Sequence, residues 1–427
     1  MWKWACVALC CVTMPVGAKA PNILLILSDD LGYADLSCYG AKDIHTPHLD
    51  KLARQGVRFT RFYSNGPVCT PTRAGLLTGR YQQRVGLEWA IFAGQKEPGL
   101  PATEKTLARW LKDAGYRTGI FGKWHLGYKK EYMPLAHGFD RHVGLLSGNI
   151  DFWTKKEATG ELDWYVDGKA QFERGYATDL LTDYAVQFLS EKSDRPFFAY
   201  VPYNAVHWPF QPPDKEDARD KSNWVAGNRK DYAKMVQNMD ANIGRLLQAI
   251  EKRGETDNTI VIFTNDNGGE RYSDNGPLFH IKATLWEGGI RVPCIIRWPG
   301  KIRPDTVSDQ VGISMDLTTT LLAAAGVKPD RTLDGIDLLP TLSAKQPTPR
   351  TLFWRIDRVN RKHKVAMVGD WKWHNDGSLQ LLFDLSKDIG ERKNLGHLYP
   401  EKVAELQKRY AAWEKEMNAH KPAHVVK

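Results

Sequence analysis

After its first twenty residues this chain contains little cysteine, which excludes a fold held together by a framework of disulfides. Three of its six cysteines lie within the first eleven residues, and only Cys38, Cys69 and Cys294 follow. Three thiols can form at most one intramolecular bridge. We expect Cys38 and Cys294 to be two separate buried thiols, with a disulfide between them as the alternative.

Long apolar runs are also scarce beyond the N-terminus. The first twenty residues are typical of a secretory signal, because Lys3 precedes an apolar stretch over residues 5–12 and small residues follow at 16–18 and 18–20. We therefore predict a cleaved signal peptide over residues 1–20 and a secreted or periplasmic protein. No later run reaches about 18 apolar residues, so we expect no membrane span.

A dense run of Lys and Arg is missing as well, although the formal net charge is +9. This distribution argues against nucleic acid as a partner, whereas the basic balance suits a smaller anionic partner. A solvated surface rich in lysine would give the same balance. The chain has no internal repeat, and a hydrophobic content of 42% over 427 residues indicates a globular protein, with a length typical of about two or three domains.

What the sequence does contain is a series of short apolar runs alternating with amphipathic helices. The runs at 23–27, 196–201 and 259–264 are typical of central strands in a parallel sheet. Between the last two, residues 236–250 carry one apolar helical stripe. This alternation predicts an α/β domain over residues 21–342.

The pattern changes after this region. Residues 343–350 have the composition of a linker. Short strands are predicted beyond it, at 352–356, 363–368 and 380–385, and a final amphipathic helix begins at Pro400. Residues 343–427 should therefore form a small subdomain with an antiparallel sheet and a helix. Residues 128–176, by contrast, are expected to form loops and small strands over the active face.

Two of the predicted strands are followed by polar oxygen-bearing side chains. Asp29 and Asp30 follow the first strand, and Asp266 and Asn267 follow the strand at 259–264. The carboxyl ends of strands are where open α/β sheets bind ligands. Either cluster alone could be a helix cap or a turn, but two such ends can supply several hard oxygen ligands to one divalent cation.

A helix start is predicted immediately after Cys69. Thr70 is a good N-cap, Pro71 fits the first helical position, and Gly79 can close the C-terminal end. The positive end of the helix dipole would favour an anion and lower the pKa of the Cys69 thiol. Arg73 lies one turn further on. For an isolated cysteine, burial near a turn would be the simpler interpretation.

Three further segments carry basic side chains of chemical interest. Lys123 and His125 point to the same side of an extended chain, and His207 precedes Trp208-Pro209 at the exit of a predicted strand. Lys282 stands four residues before a Trp-Glu-Gly-Gly sequence. Taken alone, Lys123 and His125 would be expected in solvent.

Together these motifs resemble those of the type I, formylglycine-dependent sulfatases, of the arylsulfatase and N-acetylgalactosamine-6-sulfatase type. Cys69-x-Pro71-x-Arg73 with the later Leu-Thr-Gly-Arg is similar to the family signature, although Thr72 stands where the family usually has Ser. Gly-Lys-Trp-His at 122–125 and the stretch at 282–293 are similar to further family motifs. The resemblance covers residues 21 to about 395. It implies an alkaline-phosphatase-like fold, in which a mixed sheet lies between helices and a small C-terminal α+β domain follows.

The resemblance also implies a chemistry for these residues. A maturation enzyme, either formylglycine-generating or an anaerobic maturase, would convert Cys69 to formylglycine, whose hydrate attacks sulfur. Asp29, Asp30, Asp266 and Asn267 would hold Ca²⁺ together with residue 69. Arg73 would steady the hydrate, and Lys123 and Lys282 would bind sulfate oxygens. Asp266 would act as the first base, His207 with Lys282 would protonate the leaving alcohol, and His125 would help to expel sulfate.

The substrate is expected to be a sulfated carbohydrate. The chain has fifteen Trp. Core packing is the preferred interpretation for Trp153, Trp164 and Trp208, and exposed platforms for sugar rings are the alternative. A phosphatase or phosphonate hydrolase on the same fold is the nearest competing enzyme. A lectin-like binder with an inactive site would have lost ligand or catalytic residues, and none is missing from the sequence.

Overall fold

The apolar run at the start of the chain lies at the centre of a large mixed sheet. The computed structural model describes residues 19–219, 222–343 and 347–419, so the predicted signal peptide falls almost wholly outside the described residues. Asn22–Ser28 is a buried strand with a parallel neighbour on each side. It is buried because its apolar side chains enter a hydrophobic layer on both faces of the sheet.

The strands are β1 (Asn22–Ser28), β2 (Val57–Phe59), β3 (Phe62–Tyr63), β4 (Arg117–Lys123), β5 (Arg141–Leu145), β6 (Tyr165–Val166), β7 (Lys169–Ala170), β8 (Phe197–Pro202), β9 (Thr259–Asn265), β10 (Cys294–Arg297), β11 (Thr306–Ser308), β12 (Gly312–Ile313), β13 (Thr351–Arg358), β14 (Arg361–Val368), β15 (Trp371–Asn375) and β16 (Gln380–Asp384). The α-helices are α1 (Pro47–Arg54), α2 (Cys69–Thr78), α3 (Leu107–Asp113), α4 (Ala177–Ser190), α5 (Arg229–Lys252), α6 (Glu287–Ile290), α7 (Ser314–Ala324) and α8 (Pro400–Ala419).

The large sheet has the order β11-β2-β10-β9-β1-β8-β4-β5-β6-β7. Its centre is parallel from β9 through β1, β8 and β4 to β5. The strands outside this centre are mixed, since β10 is antiparallel to both β9 and β2. The predicted α/β fold with a mixed, mostly parallel sheet is confirmed.

Helices cover both faces of this sheet. Leu24 and Ile26 of β1 enter one core with α1, α4 and α5, whereas Ile23, Leu25 and Leu27 enter a second core with α2, α3 and α7. Successive side chains of a strand point to opposite faces, so one apolar run serves both layers. The helices thereby hold the carboxyl ends of the central strands in a fixed arrangement.

The C-terminal region forms a separate antiparallel sheet, in the order β13-β14-β15-β16, against which α8 packs. Trp354, Trp373, Tyr410 and Trp413 belong to its core. The small sheet and the final helix were predicted, but β15 was not. The domain boundaries at 342 and 343 stay a prediction, and residues 344–346 of the expected linker lie outside the described part of the chain.

Local predictions fail where side chains find distant partners. Thr70 is not an N-cap: α2 already begins at Cys69, and the Thr70 hydroxyl donates to the carbonyl of His125 at 3.0 Å. Gly79 does end this helix in the left-handed conformation, with φ of 66°. The stretch expected to form loops and small strands does contain short strands, and one of them, β5 at residues 141–145, belongs to the parallel centre of the large sheet.

Two further expectations concern the cysteines and the membrane. Cys38 and Cys294 are both free thiols, as expected, although Cys38 is only half-buried. Over the described ranges, none of the helices combines the length and the apolar character that crossing a bilayer requires.

Candidate active site

The predicted metal ligands gather where β1 and β9 end. The two strands are parallel neighbours in register, so Asp29 and Asp30 emerge beside Asp266 and Asn267 at one edge of the sheet. Asp30 adopts a positive φ of 58°, and its Oδ1 accepts a hydrogen bond from the Asn267 amide at 2.7 Å. All four side chains are buried. The structure thus brings together the two polar strand ends that the sequence singled out.

Cys69 is the first residue of α2 and faces this cluster. Its Sγ lies 3.5 Å from Asp29 Oδ1, and the residue is 2% exposed. Burial raises the pKa of the thiol, and the charges of Asp266 and Asp29 raise it further. The prediction of a lowered thiol pKa is therefore wrong, because burial and two carboxylates outweigh the helix dipole. An unmodified Cys69 would be protonated and a weak nucleophile.

Three cations bind the three aspartates, and two of them, Arg73 and Lys123, are fully buried, whereas Lys282 is half-buried at the cavity. Arg73 holds Asp266 Oδ2 through Nη2 at 2.8 Å and Nε at 3.2 Å, and its Nη1 donates to the carbonyl of Lys123 at 2.7 Å. The Lys123 ammonium lies 2.6 Å from Asp29 Oδ2. The Lys282 ammonium lies 2.6 Å from Asp30 Oδ2. Each aspartate thus has its own cationic partner.

The pKa of Asp29 is strongly affected by its buried, charged surroundings. Burial raises its pKa to about 7, with Asp266 adding to the rise and Lys123 opposing it. Taking charges out of water is costly unless opposite charges and hydrogen bonds compensate. Six charged groups in one buried cluster therefore point to a functional site rather than to a stabilising device.

His125 and His207 line the same cavity but keep different nitrogens free. The carbonyl of Ile91 accepts a hydrogen bond from His125 Nε2 at 2.7 Å, which leaves Nδ1 buried with no partner among the described residues. The carbonyl of Trp208 accepts one from His207 Nδ1 at 2.7 Å, and His207 Nε2 lies 3.4 Å from Asp30 Oδ2. Because a carbonyl can only accept, these contacts assign the tautomers.

Burial lowers the pKa of both imidazoles well below the usual range. Lys123 contributes to the fall at His125, and Lys282 is the largest charge acting on His207. In this arrangement each histidine therefore has one N–H and one nitrogen lone pair.

The donor set of the cluster fits a hard divalent cation. Ligand atoms of Asp29, Asp30, Cys69 and His207 lie within 4.8 Å of one another. Asn267 Oδ1 is buried and accepts no hydrogen bond within the described ranges. A cation that prefers oxygen ligands would satisfy this buried oxygen by coordination. Asp266 is not among these four residues, and its Oδ2 accepts a hydrogen bond from Arg73 at 2.8 Å.

A cavity of about 330 Å³ opens onto this cluster. Its polar wall comprises Cys69, His125, His207, Lys282, Asn149 and Glu270. Apolar residues line much of the remainder, among them Val68, Trp89, Ile91, Phe92, Trp208 and Ile281. The cavity can hold one small anionic group against the cations with its apolar or ring-shaped substituent towards the mouth.

Comparison with known proteins agrees with this geometry. A family model described as Sulfatase matches residues 21–327. The chain belongs to the sulfatase family. It is a sulfuric ester hydrolase. A second model, described as the C-terminal region of N-sulphoglucosamine sulphohydrolase, matches residues 278–417.

Individual relatives match the sulfatase over most of its length. N-acetylgalactosamine-6-sulfatase of Mus musculus is 37% identical over 433 residues, covering 88% of this chain and 82% of the relative. Arylsulfatase A of Homo sapiens is 34% identical over 439 residues, covering 88% and 84%. The crystal structure of Ps i-CgsB in complex with k-i-k-neocarrahexaose superposes with a TM-score of 0.86 at 30% identity, covering 92% of this chain and 93% of that chain.

The structure also shows what sequence reasoning missed around this site. Glu270 lines the cavity, and its Oε2 accepts a hydrogen bond from Trp208 Nε1 at 2.9 Å. Its position three residues after Asn267 was the available signal. Of the three tryptophans considered as platforms for sugar rings, Trp208 is half-buried at the cavity and Trp153 packs half-buried on the core. Trp164 is fully buried in the same core, in agreement with the preferred interpretation of core packing.

Proposed function

We propose that this sulfatase hydrolyses sulfate esters of carbohydrates, with a formylglycine made from Cys69 and a calcium ion as its reactive groups. The observation that supports the proposal most strongly is the convergence of Arg73, Lys123 and Lys282 on the buried aspartates around Cys69. Such a group of fixed cations is suited to a sulfate group, on which negative charge builds up as the ester bond breaks.

The modification of Cys69 requires an oxidation that the protein does not perform on its own. Conversion of the CH₂SH group to an aldehyde takes in one water, releases hydrogen sulfide and two protons, and passes two electrons to an oxidant. We propose that a maturation enzyme, formylglycine-generating or anaerobic, mediates this step. Since Cys69 is 2% exposed in the folded chain, the modification would precede folding. Once hydrated, formylglycine supplies a hydroxyl nucleophile and a second oxygen that a serine lacks.

Asp29, Asp30, Asp266 and Asn267 would hold the calcium ion, together with residue 69. The unpartnered Oδ1 of Asn267 supports this assignment, as do the aspartate oxygens at the strand ends. When bound, Ca²⁺ screens the charge of the sulfate oxygens and favours an ionised nucleophile.

The side chains of the cavity would divide the remaining work. Lys123 and Lys282 would bind sulfate oxygens, and Arg73 would hold Asp266 and the residue at position 69 in place. Asp266 would accept the first proton. His207 would donate a proton to the leaving alcohol from Nε2 once that nitrogen is protonated, because its Nδ1–H is already held by the Trp208 carbonyl; Asp30 Oδ2 at 3.4 Å would stabilise the doubly protonated ring. His125 would later accept a proton at its unpartnered Nδ1.

The carbohydrate substrate is supported by the relatives and by the cavity mouth. One relative is named N-acetylgalactosamine-6-sulfatase, after an amino sugar, and the superposing crystal structure is a complex with a neocarrahexaose. The half-buried Trp208, whose N–H is held by Glu270, offers an apolar face of the type that packs on sugar rings. We also propose secretion or export to the periplasm, based on residues 1–20, and a division into domains of residues 21–342 and 343–427.

Sulfate release from a panel of defined sulfated saccharides, in parallel with the matching phosphate esters, would test the function. We expect matured enzyme to release sulfate far faster than phosphate, and peptide mass spectrometry to find formylglycine at position 69. The Cys69→Ala variant is the matched control and should fall to background. Full activity with unmodified Cys69, or preference for phosphate esters, would contradict the proposal.

A further inference from the structure

A second cavity adjoins the catalytic cavity. It measures about 400 Å³, and the two cavities share one wall, residues 89–92. Asp357, Arg358 and Val359, at the turn between β13 and β14, lie on its other side. The C-terminal sheet therefore lines a cavity that lies directly beside the catalytic one, with only the segment 89–92 between them.

The surface of this outer cavity combines exposed apolar groups with a stacked guanidinium. Phe92 is 54% exposed and Val359 is 95% exposed. The Arg358 guanidinium lies 4.6 Å from the centre of the Trp89 ring. A stacked guanidinium covers the ring with its face but keeps N–H donors at its edge for an anion. The surface is thus suited to a ligand that has both apolar ring faces and negative charge.

The charge of the outer cavity is positive because its acidic side chains already have partners. Glu88 pairs with Arg355 at 2.7 Å, and Asp357 pairs with Lys362 at 3.4 Å. Arg358 adds a positive charge that neither of these pairs neutralises.

The opposite strand of the turn adds a second positive charge. Arg361 is the cross-strand partner of Arg358. It also lies close to His280, whose pKa is lowered by burial and then by this arginine. His280 directly precedes Ile281, which lines the catalytic cavity. The turn thereby carries two arginines, of which Arg358 lines the outer cavity and Arg361 lies close to the residue before Ile281.

We propose that the outer cavity is a subsite for the sugar next to the one that loses its sulfate, and that Arg358 pairs with an anionic group on that sugar. Either a sulfate or a carboxylate has the required chemistry. This inference rests on the proposed carbohydrate substrate. It adds a preference for oligosaccharides that are anionic beyond the cleaved ester, to which the C-terminal sheet contributes directly.

The test compares substrates that fill one cavity with substrates that fill both. Matured enzyme would be assayed on 4-nitrophenyl sulfate, on N-acetylgalactosamine 6-sulfate, and on disaccharides in which the same sulfated sugar is joined to a neutral hexose, a hexuronate or a second sulfated hexose. We expect kcat/KM to be about tenfold higher for the two anionic disaccharides than for the neutral one, since a charge-assisted hydrogen bond in a solvent-exposed site has about this effect. The advantage should shrink in high salt.

Variants at the outer cavity should remove this advantage selectively. In Arg358→Ala the ratio of kcat/KM between anionic and neutral disaccharides should fall about tenfold, towards unity. Arg358→Lys keeps the charge but not the planar fork, so part of the advantage should return. Arg303→Ala, at an exposed arginine before β11, is the matched control and should behave as wild type.

The outcomes separate this inference from the proposed function. If wild type cleaves the disaccharides but does not distinguish neutral from anionic ones, or if Arg358→Ala keeps the distinction, the subsite is overturned and the sulfatase activity on sugars stands. If wild type cleaves 4-nitrophenyl sulfate but no saccharide, the proposed substrate class fails and the subsite with it. A larger effect with hexuronate than with the second sulfate would identify the anion as a carboxylate.

Discussion

Two buried networks of charged side chains occur in this sulfatase, and they differ in what completes them. The sheet-edge network contains Asp29, Asp30, Asp266, Arg73, Lys123 and Lys282. The interface network lies between the large sheet and the C-terminal sheet and contains Glu287, Arg291, Lys372 and Glu391. In the interface network Lys372 lies 2.9 Å from Glu287 and 2.8 Å from Glu391, and Arg291 lies 3.1 Å from Glu287.

The interface network borders no cavity among those described, and its one carboxylate oxygen without a hydrogen bond, Glu391 Oε1, faces the Lys372 ammonium at 2.8 Å. Tyr63 donates a hydrogen bond to Glu287 at 2.9 Å, and the backbone N–H of Glu287 donates to Glu391 at 2.6 Å. The sheet-edge network instead borders a cavity and leaves Asn267 Oδ1 and His125 Nδ1 without partners among the residues described. The charges of the interface network therefore hold the C-terminal sheet against the large sheet. The charges of the sheet-edge network instead face a cavity in which a ligand can bind.

One segment connects the two networks. Lys282 reaches the sheet edge, whereas Glu287 and Arg291, a few residues later, belong to the interface. The stretch 282–293, which resembles a family motif, thus contributes residues to both networks. The comparison between the networks can be tested by removing one charge from each.

The largest effect is expected from the ion ligands of the sheet-edge network. Asp30→Asn should lower turnover on the order of 10⁴-fold, because a bound cation supplies several kcal/mol of charge stabilisation. Calcium at about 100 times its Kd should stabilise the wild type by about 2.7 kcal/mol, and calorimetry should show no such gain in the variant.

Asp257→Asn, at an exposed aspartate before β9, is the control for this experiment. It should keep both the turnover and the response to calcium. If calcium stabilises Asp30→Asn as much as wild type, the sheet-edge network is not the ion site.

The effects of removing His207 and His125 should depend differently on the leaving group of the substrate. His207→Ala should slow cleavage of sugar sulfates about 10²–10⁴-fold but activated aryl sulfates much less, because a good leaving group needs little protonation. His125→Ala should slow release of sulfate from the enzyme equally for both substrate types, which mass spectrometry would detect as trapped sulfate. The reverse pattern would mean that the two roles are exchanged.

Removing one lysine from each network should affect stability in the interface network and activity in the sheet-edge network. Lys372→Met leaves Glu287 and Glu391 buried with one cation fewer, and we expect a loss of about 3–5 kcal/mol in the free energy of unfolding. Lys282→Met should cost less stability, since its ammonium borders the cavity, but should lose most activity. Urea unfolding and assays of the folded fraction would measure both. Equal stability losses would remove the distinction between the two networks.

The smallest effect is a pH dependence of the interface network. Burial raises the pKa of Glu391 to about 7, Lys372 opposes the rise, and Glu287 adds to it. The folded chain therefore keeps a proton that the unfolded chain releases near pH 4.5, and stability should fall by about 1–3 kcal/mol as the pH rises from 5 to 7. Urea unfolding of Glu391→Gln should lack this decline.

Glu287→Gln is the matched comparison, because the sign is reversed. Burial acts to raise the pKa of Glu287, but Lys372 and Arg291 outweigh burial and lower it. The ionised form of Glu287 thus contributes stability above the unfolded pKa that is lost as the pH falls through the folded one. The variant should be destabilised most at neutral pH. The same pH profile in both variants would contradict the assigned shifts.

Much of the fold and of the site followed from local patterns in the sequence. Residues 23–27 and 259–264 are apolar on every side, and only a strand covered on both faces satisfies such runs. The polar residues after them must then emerge at one sheet edge. This is why the sequence alone predicts that Asp29, Asp30 and Asp266 lie close together, next to the Cys69 segment that resembles a family motif.

What only the tertiary structure decided depends on contacts between residues that are far apart in sequence. The pKa of Cys69 rises because Asp29 and Asp266, from two other segments, surround a buried thiol, and no property of its own helix reveals this. The stacking of Arg358 on Trp89 and the pairing of Lys372 with Glu287 likewise join the C-terminal sheet to the large domain. Local patterning sets which face of a strand or helix is buried, but the charge and accessibility of a group depend on everything that folding brings around it.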